Sequence, residues 1–154
     1  MKDIQIEMLG VAIAIASEAH KGQYDKAGLP YILHPIHVMN KVWEKYKDPE
    51  LAIIAILHDV VEDTKITLEY LHEVDFSTRV LKGVDCLTHP LGESYNKYID
   101  RVASNLDSVK VKLEDLDHNT DLTRLVAFTE KDTDRMIKYH SSYTRLKKVL
   151  LENS

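Results

Sequence analysis

Leu57-His58-Asp59-Val60-Val61-Glu62-Asp63-Thr64 places an imidazole and three carboxylates at positions 58–63, directly behind the apolar run Leu51-Ala52-Ile53-Ile54-Ala55-Ile56. A run of that kind belongs in a core, and ionisable groups at its end are costly to bury unless they are paired or bound to a metal. Read as one helix over 49–63, the stretch sets His58 and Glu62 a turn apart on one face. Asp59 and Asp63 form a second pair, rotated by about 100° from the first. The helix then delivers two acid-bearing edges to one spot, which points to a metal site with a carboxylate catalyst beside it.

The flanking sequence reads as helix in both directions. Ile6, Leu9, Ile13, Ala16 and Ala19 recur at three- and four-residue spacing and predict a helix over 3–20. A polar loop bracketed by Gly22 and Gly28 follows, and a second helix begins near Pro35 and runs to about Lys47. Asp48-Pro49 supplies the cap and first-turn proline of the helix that carries the opening stretch. Thr67 caps a short helix, Ser77 caps one over 78–87, and 93–104 resumes after the break at His89-Pro90-Leu91-Gly92. Val109-Lys110-Val111 alternates as a strand would, but Leu113 and Leu116 continue it with helical spacing. Thr129 caps a last helix to about Leu151. The expectation is a single all-α domain spanning 1–154, with six to eight helices.

Composition narrows the chemistry. A net charge of −5 gives no basic face for a phosphate backbone, so nucleic acid is not an expected partner. Cys86 is the single cysteine, which excludes a disulfide framework and a thiolate zinc cluster. The start, Met1-Lys2-Asp3-Ile4-Gln5-Ile6-Glu7, carries acids where a secretory segment would be apolar, and no run approaches a membrane span. A cytoplasmic protein without membrane attachment is expected; the oligomeric state is left open.

Metal donors occur at three places: His34 with His37, His58-Asp59, and Glu114-Asp115-Leu116-Asp117-His118-Asn119. Mixed imidazole and carboxylate donors suit Mn²⁺, Fe²⁺ or Zn²⁺. Residue type alone does not choose among the members of each place.

The order His34 … His58-Asp59 … Asp115 resembles the HD-domain metal-dependent phosphohydrolases. Longer stretches are similar to the hydrolase domain of the Rel/Spo alarmone enzymes. They are Ala19-His20-Lys21-Gly22-Gln23 … Gly28-Leu29-Pro30-Tyr31-Ile32-Leu33-His34-Pro35, Leu57 to Thr64, and Val111-Lys112-Leu113-Glu114-Asp115 … His118-Asn119. The likeness runs from about residue 9 to residue 125. What remains has no room for a synthetase domain, so the chain resembles the stand-alone small alarmone hydrolases. That resemblance implies an HD-domain helical bundle in which His34, His58, Asp59 and Asp115 hold one divalent cation, Mn²⁺ in this family. It implies that Glu62 and Asp63 orient or deprotonate the attacking water and that Asn119 holds the substrate. The implied reaction removes the 3′-pyrophosphate from guanosine tetra- or pentaphosphate. A bound dication can lower the pKa of its water from ~15.7 toward ~7, and four protein ligands leave positions free for water and phosphate.

One departure bears on the substrate. Where the family has an arginine before lysine in its Gly-Gln-x-Arg-Lys loop, this chain has Asp25 before Lys26. That arginine packs on the nucleobase in the family; an aspartate cannot stack on a purine and would repel phosphate. Lys26, Lys112, Arg135 and Tyr139 are candidates for compensating contacts. Two other functions therefore stand beside the first: an HD phosphatase acting on another nucleotide such as NADPH, and a non-catalytic metal-containing module that senses or binds. Of the other residues, His20, His37 and His118 are expected to be structural or to support the ligands. His72, His89 and His140 should face solvent, and Cys86 should be a buried small apolar residue.

Overall fold

The computed structural model describes residues 2–154, so Met1 of the acidic amino-terminal stretch lies outside the described residues. The helices are α1 (Lys2–Ala19), α2 (Leu33–Tyr46), α3 (Pro49–Leu57), α4 (Val60–Asp63), α5 (Leu68–Glu73), α6 (Thr78–Leu87), α7 (Tyr95–Ala103), α8 (Leu106–Asn119) and α9 (Glu130–Glu152), with a 3₁₀ turn at Leu122–Arg124. No strand occurs among the described residues, only an isolated bridge between Tyr24 and Pro30. The fold is the all-α bundle anticipated from the sequence.

Helix α3 is the axis. Asp48 accepts the Leu51 N–H at its start, and Pro49 occupies the first turn, where a missing N–H costs nothing. Every residue from Leu51 to Leu57 is buried, which a helix tolerates only when neighbours surround it. α1, α2, α6 and α8 pack around it. The α6 approach is so close that a Cβ on Gly83 would lie 2.6 Å from Ile54 Cδ1. Only glycine fits there.

The helix expected over 49–63 is broken, and this corrects the reading of its faces. The His58 N–H reaches back only three residues, to the Ala55 carbonyl at 3.5 Å, and Asp59, at φ −105°, ψ −4°, is the cap residue between the two helices. α4 then restarts, with the Asp63 N–H on the Asp59 carbonyl at 3.0 Å. The break lets His58 turn into the core, while Glu62 stays exposed.

Helix starts elsewhere follow their caps. Thr67, Ser77, Ser94 and Asn105 each accept a hydrogen bond from an N–H of the first turn. Thr129 and Asp132 form a reciprocal capping box at the start of α9. Val109 and Val111 lie within α8, where both are buried. Their alternation does not make a strand because the pattern extends into Leu113 and Leu116 against the core.

Candidate active site

Three elements converge at the end of α3. His34 comes from the first turn of α2, His58 and Asp59 from the break after α3, and Asp115 from the last turn of α8. His34, His58 and Asp115 are all buried and offer donor atoms within 4.8 Å of one another. Asp59 Oδ2 lies 3.1 Å from His58 Nε2 and 3.8 Å from His34 Nε2.

The hydrogen bonds around this cluster orient its imidazoles. His58 Nδ1–H donates to the Ala55 carbonyl at 2.6 Å, which turns the Nε2 lone pair inward. That Nε2 is buried and has no hydrogen-bond partner. His34 Nδ1 shares a hydrogen bond of 2.7 Å with His118 Nδ1, and His34 Nε2 faces Asp115 Oδ1 at 2.9 Å. Burial, together with Arg124, His34 and His37, pushes the His118 imidazole down to about 3, so it is neutral. Burial alone would raise the Asp59 carboxyl, but the imidazoles of His58 and His34 bring it down to about 2. Two buried imidazoles thus converge on a buried and a half-buried carboxylate. Such a group could hold a divalent metal, which fits both donor set and charge.

Both carboxylates also accept hydrogen bonds from neighbouring side chains. Tyr31 Oη donates to Asp59 Oδ2 at 2.5 Å, and burial and Asp59 keep that phenol protonated. Lys112 Nζ donates to Asp115 Oδ2 at 2.7 Å, and Asn119 Nδ2 to Asp115 Oδ1 at 2.8 Å. Lys112 was a candidate for a cleft contact from the sequence. Instead it turns inward between Asp115 and the Tyr98 ring, because only that carboxylate can neutralise a buried ammonium there.

A cleft of about 340 Å³ opens beside the cluster, lined by Lys26, Arg124, Arg135, Tyr139 and others. Tyr31 and Asn119 belong to both, so the cleft and the carboxylates are contiguous. Asp132, buried at the start of α9, holds Arg135 and also Lys26 at 3.5 Å. Asp25 does not stand alone against phosphate, as its sequence position suggested. Its Oδ1 accepts the Ala27 and Leu29 N–H groups at 2.9 Å each, and Oδ2 lies 3.9 Å from Arg124 Nη2.

Glu62 and Asp63 are not among the residues that line the cleft, but Asp63 is close enough to Asp59 to feel its charge. Glu62 Oε1 accepts the His89 N–H at 2.6 Å and ties the loop after α6 to α4. Loss of solvent, then Asp59 and Glu62, push the Asp63 carboxyl up to about 6. His89 is not simply solvent-facing: it stacks on Tyr98 at 4.7 Å and its Nε2 meets the Glu93 carbonyl. Cys86 is half-buried. Tyr31, Arg124 and Asp132 had no assigned role in the sequence reading. Of these only Asp132 carried a local signal, its place three residues after Thr129.

No protein-family model matches the chain. A guanosine-3′,5′-bis(diphosphate) 3′-pyrophosphohydrolase of Haemophilus influenzae is 34% identical over 116 residues, 68% of this chain and 17% of that protein. The protein of the same name from Aquifex aeolicus is 38% identical over 112 residues, 68% of this chain and 16% of its own length. The bifunctional (p)ppGpp synthase/hydrolase SpoT of Escherichia coli is 31% identical over 125 residues, 75% of this chain and 18% of its own length. A solved structure described as a metazoan ortholog of SpoT that hydrolyzes ppGpp has a TM-score of 0.75 at 24% identity, covering 94% of this chain and 92% of that one. The chain is an HD-domain protein of the Rel/Spo hydrolase-like kind. It spans about a sixth of the length of the curated relatives it matches. In this Rel/Spo hydrolase-like chain no helix of the described residues is long and apolar enough to cross a membrane.

Proposed function

We propose that this chain is a metal-dependent hydrolase that removes the 3′-pyrophosphate from guanosine 3′,5′-bis(diphosphate), leaving GDP. The observation that carries the reading is the buried His34–His58–Asp115 cluster, with Asp59 beside it and a His58 Nε2 that lacks a hydrogen-bond partner, next to a cleft with three cations. The names of the curated relatives supply the substrate. His34, His58, Asp59 and Asp115 would hold the cation, with Mn²⁺ first among Mn²⁺, Fe²⁺ and Zn²⁺ for this donor set. The cation supplies Lewis acidity toward a phosphoryl oxygen and lowers the pKa of water near it.

The chain's own groups divide the rest. Tyr31 holds Asp59 and Lys112 holds Asp115, so both carboxylates are oriented by neighbours on this chain. Asn119 sits between Asp115 and the cleft, where its amide can position a phosphate. Lys26 and Arg135, held on Asp132, offer charge to the substrate's other phosphates, and Tyr139 lies on the same wall. Asp63 accepts the proton of the attacking water, because its raised pKa suits transfer near neutrality. Glu62 supports it by fixing the His89 loop.

The test is pyrophosphate release by purified protein with Mn²⁺, using guanosine tetraphosphate and NADPH in parallel and Asp59→Ala as control. Pyrophosphate from the tetraphosphate, absent in the variant, is the expected result. Phosphate from NADPH alone would move the substrate and keep the chemistry. No release from either, with metal bound, would overturn the enzymatic reading.

A further inference from the structure

Arg124 is an arginine whose hydrogen bonds are half spent. Its Nη1 donates to the His118 carbonyl at 3.0 Å and to Asn119 Oδ1 at 3.3 Å, which fixes the guanidinium plane at the end of α8. Nε and Nη2 donate to no protein acceptor among the described residues; Nη2 has only Asp25 Oδ2 at 3.9 Å. The Nε–Nη2 edge is the side of a guanidinium that makes two parallel hydrogen bonds. Asp25 mirrors this arrangement. Its Oδ1 is consumed by two backbone N–H groups, while Oδ2 accepts no hydrogen bond among the described residues. Both side chains line the cleft, with relative exposures of 25% for Arg124 and 17% for Asp25. The cleft wall therefore carries a rigid two-donor edge next to a rigid acceptor.

We propose that Arg124 and Asp25 together read the edge of a guanine base, making them the specificity residues of this cleft. Guanine presents two adjacent acceptors, N7 and O6, followed by the N1–H and N2–H donors. The Arg124 edge meets the acceptors and Asp25 Oδ2 meets the donors beside them. Adenine breaks the match, since its N6 amino group would oppose the guanidinium where O6 is wanted, and its N1 is an acceptor facing a carboxylate. The inference rests on the nucleotide-hydrolase reading for its ligand class. The aspartate that looked unfavourable in sequence becomes the half of the pair that excludes the wrong purine.

Binding of GDP and of ADP to the Mn²⁺-loaded full chain, measured by calorimetry, tests this beside the hydrolysis assay. Wild type should bind GDP about tenfold or more tightly than ADP. Arg124→Ala should weaken GDP binding about tenfold, raise KM for the tetraphosphate similarly and lose the GDP-over-ADP preference, with metal content unchanged. Asp25→Asn preserves the acceptor for Ala27 and Leu29, so the loop stays folded, but sets an amide donor against guanine N1–H. Its GDP-over-ADP preference should collapse toward one. An unchanged preference in both variants, or equal binding of the two nucleotides by wild type, overturns the pair, and so does failure of wild type to bind either. Hydrolysis that continues with unchanged KM in Arg124→Ala would sink the pair and leave the enzyme. Arg124-dependent GDP preference without hydrolysis would do the reverse.

Discussion

Two arginines in this molecule meet clusters of acids and do opposite things with them. Arg79 makes five hydrogen bonds with its guanidinium: two to Asp107, two to Asp48 and one to Glu50. It ties α6, the α3 cap and the start of α8 together, and nothing is left over. Arg124 makes two bonds and keeps an edge free at a cleft. The His34–His58–Asp59–Asp115 cluster belongs with Arg124, since His58 Nε2 is buried with no hydrogen-bond partner. Polar groups that serve the fold are consumed by it. Groups that serve a ligand are held in place by one side and left open on the other.

The largest expected effect comes from removing a carboxylate of the cluster. Asp115→Ala should lower turnover at least ~10³-fold and reduce bound metal to near background, and should also cost ~3–5 kcal/mol of stability because the buried Lys112 ammonium loses its partner. Elemental analysis beside the pyrophosphate assay measures it, and a variant that keeps its metal would place the cluster with Arg79 instead. Next is chelation. With Mn²⁺ at a hundred times its Kd, wild type should gain ~2.7 kcal/mol of stability that EDTA removes. Thermal scans of Asp115→Ala should show no such difference.

Breaking the consumed network costs less. Arg79→Ala leaves three carboxylates, 15–29% exposed, without their shared cation. After allowance for solvent screening, ~1–2 kcal/mol of stability should go, read as a lower Tm with kcat/KM unchanged below the transition. This loss depends on pH. Against the upward push of burial, Arg79 holds the Asp48 carboxyl below its ordinary value. The stabilisation is therefore complete above about pH 4 and fades as Asp48 protonates below it, so the two Tm curves should converge in acid. The smallest effect separates the arginines: Arg124→Ala should leave stability within ~0.5 kcal/mol of wild type in denaturant titrations. A loss equal to that of Arg79→Ala would erase the distinction.

What the sequence revealed follows from the range of each interaction. Helix starts at Asp48-Pro49, Thr67, Ser77 and Thr129 were readable because a cap bonds within three residues. The donors His34, His58, Asp59 and Asp115 were readable as a pattern, and the fold brings them to one spot. The break at His58–Asp59 was not, since apolar periodicity runs straight through it and the turn is driven by what surrounds it. Lys112 sits four residues before Leu116 in an ordinary helical pattern, and nothing local says that its ammonium turns inward to Asp115. Arg124 meets Asp25 across a hundred-residue separation, through a 3₁₀ turn that no periodicity marks.

Asp132 has a consequence for motion. The same carboxylate closes the first turn of α9 through Thr129 and holds Lys26 and Arg135 at the cleft. Helix ends ordinarily fray, and the amides of a first turn exchange with solvent almost freely. Here fraying would release two cations from the cleft wall, so an anion bridging Lys26 and Arg135 should in turn slow hydrogen exchange at residues 130–135. Occupancy of the cleft would then be recorded in the backbone of a helix that reaches the carboxyl-terminal end of the chain.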